Sequence, residues 1–277
     1  MTSNPFRASA PLTQVWKHFD FTVSNGVATV TLNRPEKLNA LTFDSYADLR
    51  DLLWELPYRT DTRVLVVRGQ GKGFCAGGDV NEIIGELIKM EPDQLMAFTK
   101  MTGDVIAAMR DCPVPVIAAI HGIAAGAGTV IALAADFRVV SASARFAFLF
   151  TKVGLAGADM GAAYLLPRMV GTGRATQLLM LGDTIDAATA DRYGLVSELV
   201  EDEAFDGAVS QLARRLADGP SLAYSQTKTL LARELDASFH AALELDAMTQ
   251  ALLMTTHDHA EFHAAYNEKR PPQWLGR

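Results

Sequence analysis

Phe74-Cys75-Ala76-Gly77-Gly78-Asp79 and, some forty residues later, His121-Gly122-Ile123-Ala124-Ala125-Gly126-Ala127-Gly128 are the stretches that decide the fold. The first follows the β-branched run Arg63–Arg68 (RVLVVR). The second follows Val114–Ile120. Short apolar runs that end in glycine read as buried strands. Helical patterns then begin at Asp79 and at Gly126. A strand, a glycine turn and a helix, used twice, put backbone N–H groups at helix N-termini, where negative charge is stabilised. Small residues let a ligand approach the backbone, and Asp79 suits an N-cap. Two such turns can each donate an N–H to one developing oxyanion. Either turn alone reads equally as tight packing between strand and helix. Neither matches a P-loop or a dinucleotide fingerprint.

Working outward, His18–Ser24 and Val27–Leu32 alternate around Asn25-Gly26, a hairpin signal. Thr42 caps a predicted helix running to about Tyr58, with Phe43, Tyr46, Ala47, Leu49, Leu52, Leu53 and Leu56 at helical spacing. Phe137–Val140 reads as a third strand. From Gly171 onward the pattern is largely helical, and Gly219-Pro220 marks a boundary before two to four further helices. The expected organisation is a loose tail over 1–17, a core over 18–219 and a helical region over 220–277. The uncharged stretch Val116–Ala135 is long enough for a membrane span. Its glycines and the flanking Pro113, Pro115, Asp136 and Arg138 favour a buried strand, turn and helix instead.

The 277 residues carry a formal net charge of −7, which disfavours nucleic acid as a partner. Two cysteines, Cys75 and Cys112, fit a reducing, cytoplasmic setting rather than a disulfide framework. The N-terminal residues show no secretory signal pattern. His257, His259 and His263 lack the third ligand and open position of a metal site, and Thr255 with Asp258 reads as a capping box there. Cys75 reads as a buried filler and His121 as a packed strand-end residue.

The two turns together, with NRPEKLNAL (Asn33–Leu41), Ala134-Ala135-Asp136 and YNEKRPPQW (Tyr266–Trp274), resemble the crotonase (enoyl-CoA hydratase/isomerase) superfamily. The resemblance spans about residues 18–277. It implies an α/β fold: a spiral of ββα units with a C-terminal helical trimerisation region, assembled as a homo-trimer or a dimer of trimers. It implies acyl-CoA thioester substrates and no cofactor beyond coenzyme A as part of the substrate. By the same resemblance Gly78 and Ala127 supply the oxyanion-hole N–H groups. Lys37, Leu38 and Ala76 line the coenzyme A path, and Lys269 reaches the coenzyme's phosphates.

The departures from the family pattern matter as much. Where hydratases of the family carry two glutamates, this chain has Val130 and Phe150, and neither can move a proton. Asp159, in Gly154–Gly161, resembles an acidic position used by dienoyl-CoA isomerases of the superfamily. A one-residue gap choice gives that position to Ala158 instead. A carboxylate among glycines and apolar residues is tuned for acid–base work, or it caps the helix that follows. Phe146, Phe148 and Phe150 alternate as on one strand face, lining an acyl pocket or filling the core. Two function classes follow. One is an acyl-CoA enzyme relying on Asp159 for isomerisation, lyase or hydratase chemistry, or ring-acyl chemistry, and not an ordinary crotonyl-CoA hydratase. The other is a catalytically silent acyl-CoA-binding protein.

Overall fold

Asn25 and Gly26 both have positive φ (50° and 80°), as a two-residue hairpin turn matched to strand twist requires. They join β1 (Phe19–Ser24) to β2 (Gly26–Leu32), with Ser24 opposite Val27. The structure is a computed structural model and describes residues 12–277. The chain continues through α1 (Phe43–Glu55), β3 (Thr62–Gly69), a π-helical turn (Val80–Ile84), the short α2 (Gly85–Leu87) and the long α3 (Pro92–Asp111). Then come β4 (Val116–Ile120), β5 (Ile123–Ala125), α4 (Ala127–Ala134), β6 (Phe137–Ser141) and β7 (Arg145–Ala147). α5 (Ala162–Val170), α6 (Thr172–Leu181), β8 (Thr184–Asp186), α7 (Ala187–Tyr193), β9 (Glu198–Val200) and α8 (Phe205–Ala217) complete the core. α9 (Ser221–Glu234), α10 (Phe239–Met254) and α11 (His257–Glu268) follow Gly219-Pro220.

The main sheet has the order β1-β2-β3-β4-β6-β9 and is parallel apart from the first hairpin. β5, β7 and β8 form a small second sheet. β4 is apolar at every position, and β3 is so over Val64–Val67, because both faces of the sheet are covered there. Leu65 and Val67 join Val116, Ala118 and Ile120 in the larger core, which α1 and α3 help to build. Val64 and Val66 face the other way and meet Ile117, Ala119 and the α8 residues Phe205, Val209 and Leu216. The stretch Val116–Ala135 resolves into β4, β5 and the eight-residue, wholly buried α4. Among the described residues no helix is long and apolar enough to cross a membrane.

Local signals account for the helix starts. Thr42 accepts from the Ser45 N–H while the Thr42 N–H donates to Ser45 Oγ, a reciprocal cap on α1. The last helix starts differently from expectation: Thr256, not Thr255, accepts the His259 N–H. Asp258 is instead buried, and its carboxylate takes the N–H groups of Leu275 and Gly276.

Three further expectations are corrected. β8 and β9 interrupt the helical reading after Gly171. At three residues each they are too short to show alternation, and they exist because β7 and β6 offer edges to pair with. β7 ends at Ala147, and Phe150 lies in a 3-10 turn (Leu149–Val153), so Phe146, Phe148 and Phe150 do not share one strand face. The expected tail over 1–17 lies outside the described residues as far as residue 11. From Thr13 onward it is tied down: Thr13 donates twice to the Glu55 carboxylate and accepts from Arg59, and Trp16 stacks on Phe19.

Lys228 fastens α9 to the core. Its ammonium meets the Asp136 carboxylate at 2.8 Å and donates to the carbonyls of Met109 (2.9 Å) and Val114 (3.0 Å). Removing one partner of such an enclosed pair strands the other's charge. Lys228→Met is therefore expected to lower stability by about 3 kcal/mol, seen as a lower urea midpoint at unchanged slope.

Candidate active site

The first glycine turn is held on both sides by backbone. On one side Ala76 N–H donates to Leu38 O (2.9 Å), Leu41 N–H to Gly77 O (2.7 Å) and Asp79 N–H to Leu41 O (2.8 Å). On the other, Cys75 N–H donates to Ile123 O (3.0 Å) and Ala125 N–H to Cys75 O (2.8 Å). Leu41 thus brackets Gly78 in a parallel bridge whose hydrogen bonds use Gly77 and Asp79. Gly78's own N–H faces away from Leu41, and no described group accepts it. Ala127 opens α4, so its N–H has no partner within the helix. The preceding Gly126 N–H is already spent on Ala147 O (2.8 Å).

Two glycines let the turns meet. Gly126 has φ 51° and ψ −121°, a conformation closed to other residues. Gly77 has φ 96°, and a Cβ there would lie 2.9 Å from Ala125 O and 3.4 Å from Ala127 N. The first turn therefore runs against the N-terminus of α4 at the point where both uncommitted N–H groups lie.

Beside this point Leu38 and Asn39 take positive φ (50° and 58°). Asn39 is buried and makes that conformation hold. Its Nδ2 donates to Gln70 O (2.9 Å) and Gly73 O (2.8 Å), and its Oδ1 accepts from Arg34 N–H (3.0 Å). Lys37 and Leu38 are exposed next to the half-buried Ala76, so these three form one strip at the edge of the turn. Asp79 caps the π-helical turn as expected, accepting from Glu82 and Asn81 N–H. Those bonds, with Arg34 at 3.3 Å and Lys37 nearby, hold its carboxyl below the usual range despite burial.

Asp159 begins a 3-10 turn (Asp159–Gly161) that rests on α3, α4 and α5. Its Oδ1 accepts only the neighbouring Met160 N–H (2.9 Å), and Gly161, not Asp159, occupies the cap of α5. The capping role weighed for Asp159 is absent because Met160 turns left-handed (φ 51°) between it and the helix. Burial raises the Asp159 carboxyl above its ordinary value, and the Met160 N–H offsets this only in part.

The family model described as enoyl-CoA hydratase/isomerase matches residues 22–277. The chain belongs to the enoyl-CoA hydratase/isomerase family. It is 34% identical to the 1,2-epoxyphenylacetyl-CoA isomerase of Escherichia coli K12, over 92% of this chain and 97% of that one. It is 35% identical to the (E)-benzylidenesuccinyl-CoA hydratase of Thauera aromatica, again over 92% and 97%. A crystal structure of an enoyl-CoA hydratase-type protein from Streptomyces coelicolor A3(2) superposes with a TM-score of 0.97 at 64% identity, covering 99% of this chain and all of that one. The fold is that of the crotonase superfamily, and at family level the chemistry is acyl-CoA processing.

Within the family frame, Val130 lies on α4 one turn after Ala127 and is fully buried. Phe148 is fully buried and Phe150 nearly so, both in the main core, so Phe148 presents no face to a pocket. Lys269 sits apart from the other candidates. It is exposed at the left-handed end of α11, without a side-chain partner among the described residues. Cys75 is fully buried, and burial pushes its thiol up to about 12, which suits a filler and not a nucleophile. His121 bonds Gly71 O (2.9 Å) and packs on Phe205. Among the described residues no group of three or more His, Cys, Asp or Glu is arranged to hold a metal. Sequence reasoning passed over Asn39, whose buried amide fixes the strip beside the first turn.

The raised carboxyl has a pH signature. A folded-state pKa above the unfolded one means the folded chain holds more protons between the two. Wild-type stability should therefore fall as pH rises from about 3.9, the unfolded aspartate value, through the raised value. Asp159→Asn removes that contribution. It should match the wild type at the acid end and be the more stable protein at neutral pH, in urea unfolding across pH. Lower stability than wild type at neutral pH would mean that a partner holds the ionised carboxylate.

Proposed function

We propose that this chain binds an acyl-CoA thioester with its carbonyl oxygen on the Gly78 and Ala127 N–H groups, and that Asp159 moves a proton on the acyl group. The observation that supports this reading is that two glycine turns, each carrying an uncommitted N–H, pack against one another, while Asp159 is a half-buried carboxyl, raised by burial, on a turn that rests on the helix opened by Ala127. Removing a proton next to a thioester, or at a conjugated position, puts negative charge on its oxygen. Fixed donors at that oxygen lower the barrier. A single carboxyl can take a proton from one carbon and return it to another, which moves a double bond and consumes nothing. Hydration also needs a second group to activate water, and Val130 and Phe150 stand where the family's hydratases carry glutamates. Isomerisation is therefore favoured over ordinary hydration. Relatives named for 1,2-epoxyphenylacetyl-CoA and (E)-benzylidenesuccinyl-CoA support a ring-bearing acyl group.

Lys37, Leu38 and Ala76 are the strip along which the coenzyme would lie, with no further cofactor. Lys269 is free to meet its phosphates in an assembled trimer or dimer of trimers. Assembly is supported by the exposed apolar side chains of α9–α11, among them Leu231, Phe239, Leu243, Leu252 and Phe262. Sedimentation at micromolar concentration should show a trimer or hexamer, and a stable monomer would remove this part of the proposal.

Chemistry is tested by screening enoyl, dienoyl and aromatic CoA thioesters. Asp159→Asn is expected to lose ~10²–10⁴ in turnover while keeping thioester affinity, and wild-type hydration of crotonyl-CoA should be slow. Full activity in Asp159→Asn would move the proton transfer elsewhere. Tight thioester binding without turnover of any compound would favour the silent acyl-CoA binder.

A further inference from the structure

A cavity of about 530 Å³ lies between α8, α9 and the end of the main sheet where β4 and β6 begin. Pro115, Asp136 and Phe137 line it, so it sits at the start of those two strands. The second glycine turn lies beyond the other end of β4. α4 opens at that turn and closes at Ala135, which also lines the cavity. The length of both elements therefore separates the cavity from the Ala127 N–H. Its volume falls in the range of small-molecule sites, and no step of the proposed chemistry uses it.

The walls are of two kinds. Leu212 and Leu216 of α8, Ala232 and Leu235 of α9, and Met169 of α5 supply an apolar lining. With them stand four cations, Arg110, Arg138, Arg215 and Lys228, against one carboxylate, Asp136. Lys228 spends its ammonium on that carboxylate and on two carbonyls. Asp136 also takes the Val116 N–H (2.8 Å), so its charge is committed. Arg138 is half-buried, and its guanidinium donates only to carbonyls, Nε to Leu195 O and Nη1 to Ala135 O, both at 2.6 Å. Arg110 is half-buried too. Neither it nor Arg215 makes a hydrogen bond or an ion pair among the described residues. A charge taken partly out of water without a counter-ion is costly, and this cavity holds more cations than its own anion can match.

We propose that the cavity is a second binding site, for an amphipathic carboxylate. The alkyl or arylalkyl body of such an acid lies on the leucines, and its carboxylate meets the Arg110 and Arg138 guanidiniums. The planar fork of arginine matches a carboxylate, and pairing there offsets the cost of the unmatched charge. The site depends neither on the thioester reading nor on Asp159.

The test is calorimetric titration of the full-length protein, in its native oligomeric state, with octanoate and phenylbutyrate as probes. Octanol and octylammonium carry the same body with a neutral or a cationic head, and inorganic phosphate is an anion without a body. At least one carboxylate should bind roughly 10-fold or more tighter than octanol, the worth of a charge-assisted hydrogen bond. Octylammonium and phosphate should not compete with it. Arg110→Gln should lose that advantage while octanol binding and the urea midpoint stay as in wild type. Ala232→Phe, which fills the cavity without altering its charges, should weaken carboxylate and octanol alike. No carboxylate binding, equal affinity for octanol, competition by phosphate, or binding that survives in either variant would each overturn the proposal. Carboxylate binding that occurs only as the oligomer dissociates in sedimentation would assign the cavity to a neighbouring copy and overturn it as well.

Discussion

Everything at the site depends on how the backbone hydrogen bonds of Cys75–Asp79 are shared out. The segment is gripped by Leu38–Leu41 on one side and Ile123–Ala125 on the other, and every bond in that grip bypasses the Gly78 N–H. A buried N–H normally finds a partner. Here the bridge geometry withholds one, and the first residue of α4 lacks one for the general reason that helix N-termini do. The glycines exist to let these two points approach. Asn39 matters for the same reason, since it converts a left-handed excursion into three hydrogen bonds that fix the gripping strip.

Two carboxylates near the turns are tuned in opposite directions by their surroundings. Asp79 receives two N–H groups and an arginine, so its charge is held and it serves as structure. Asp159 receives one N–H and is otherwise desolvated, so its neutral form gains ground. The contrast follows from how many donors each loop aims at its carboxylate, not from residue type.

The C-terminal helices are joined to the core by a different kind of contact. Lys228 reaches into the core to satisfy Asp136 and two carbonyls at the end of α3 and in the loop before β4. Beyond that anchor, α10 and α11 expose many of their large apolar side chains, more than a surface helix needs for its own folding. Asp236, after α9, also meets Tyr164 and Arg168 of α5, so the region is tied to the core at several points while α10 and α11 leave apolar surface exposed.

By itself the sequence determined the strand–turn–helix units, the hairpin at Asn25-Gly26, the cap at Thr42 and the family, because these rest on local periodicity, on turn chemistry and on contiguous motifs. The pairing of the two glycine turns was legible through the same motifs. Tertiary structure alone decided the rest. β8 and β9 are strands because neighbours offer edges, not because three residues prefer to be extended. Phe148 is core because β7 stops at Ala147. Asp159 is no helix cap because Met160 turns left-handed behind it. Tyr46 looked like one more apolar residue, and only the packing of α1 on α3 buries it edge-on against Phe98. Burial and the fields between groups distant in the chain are sums over many contacts, and no local window of sequence contains them.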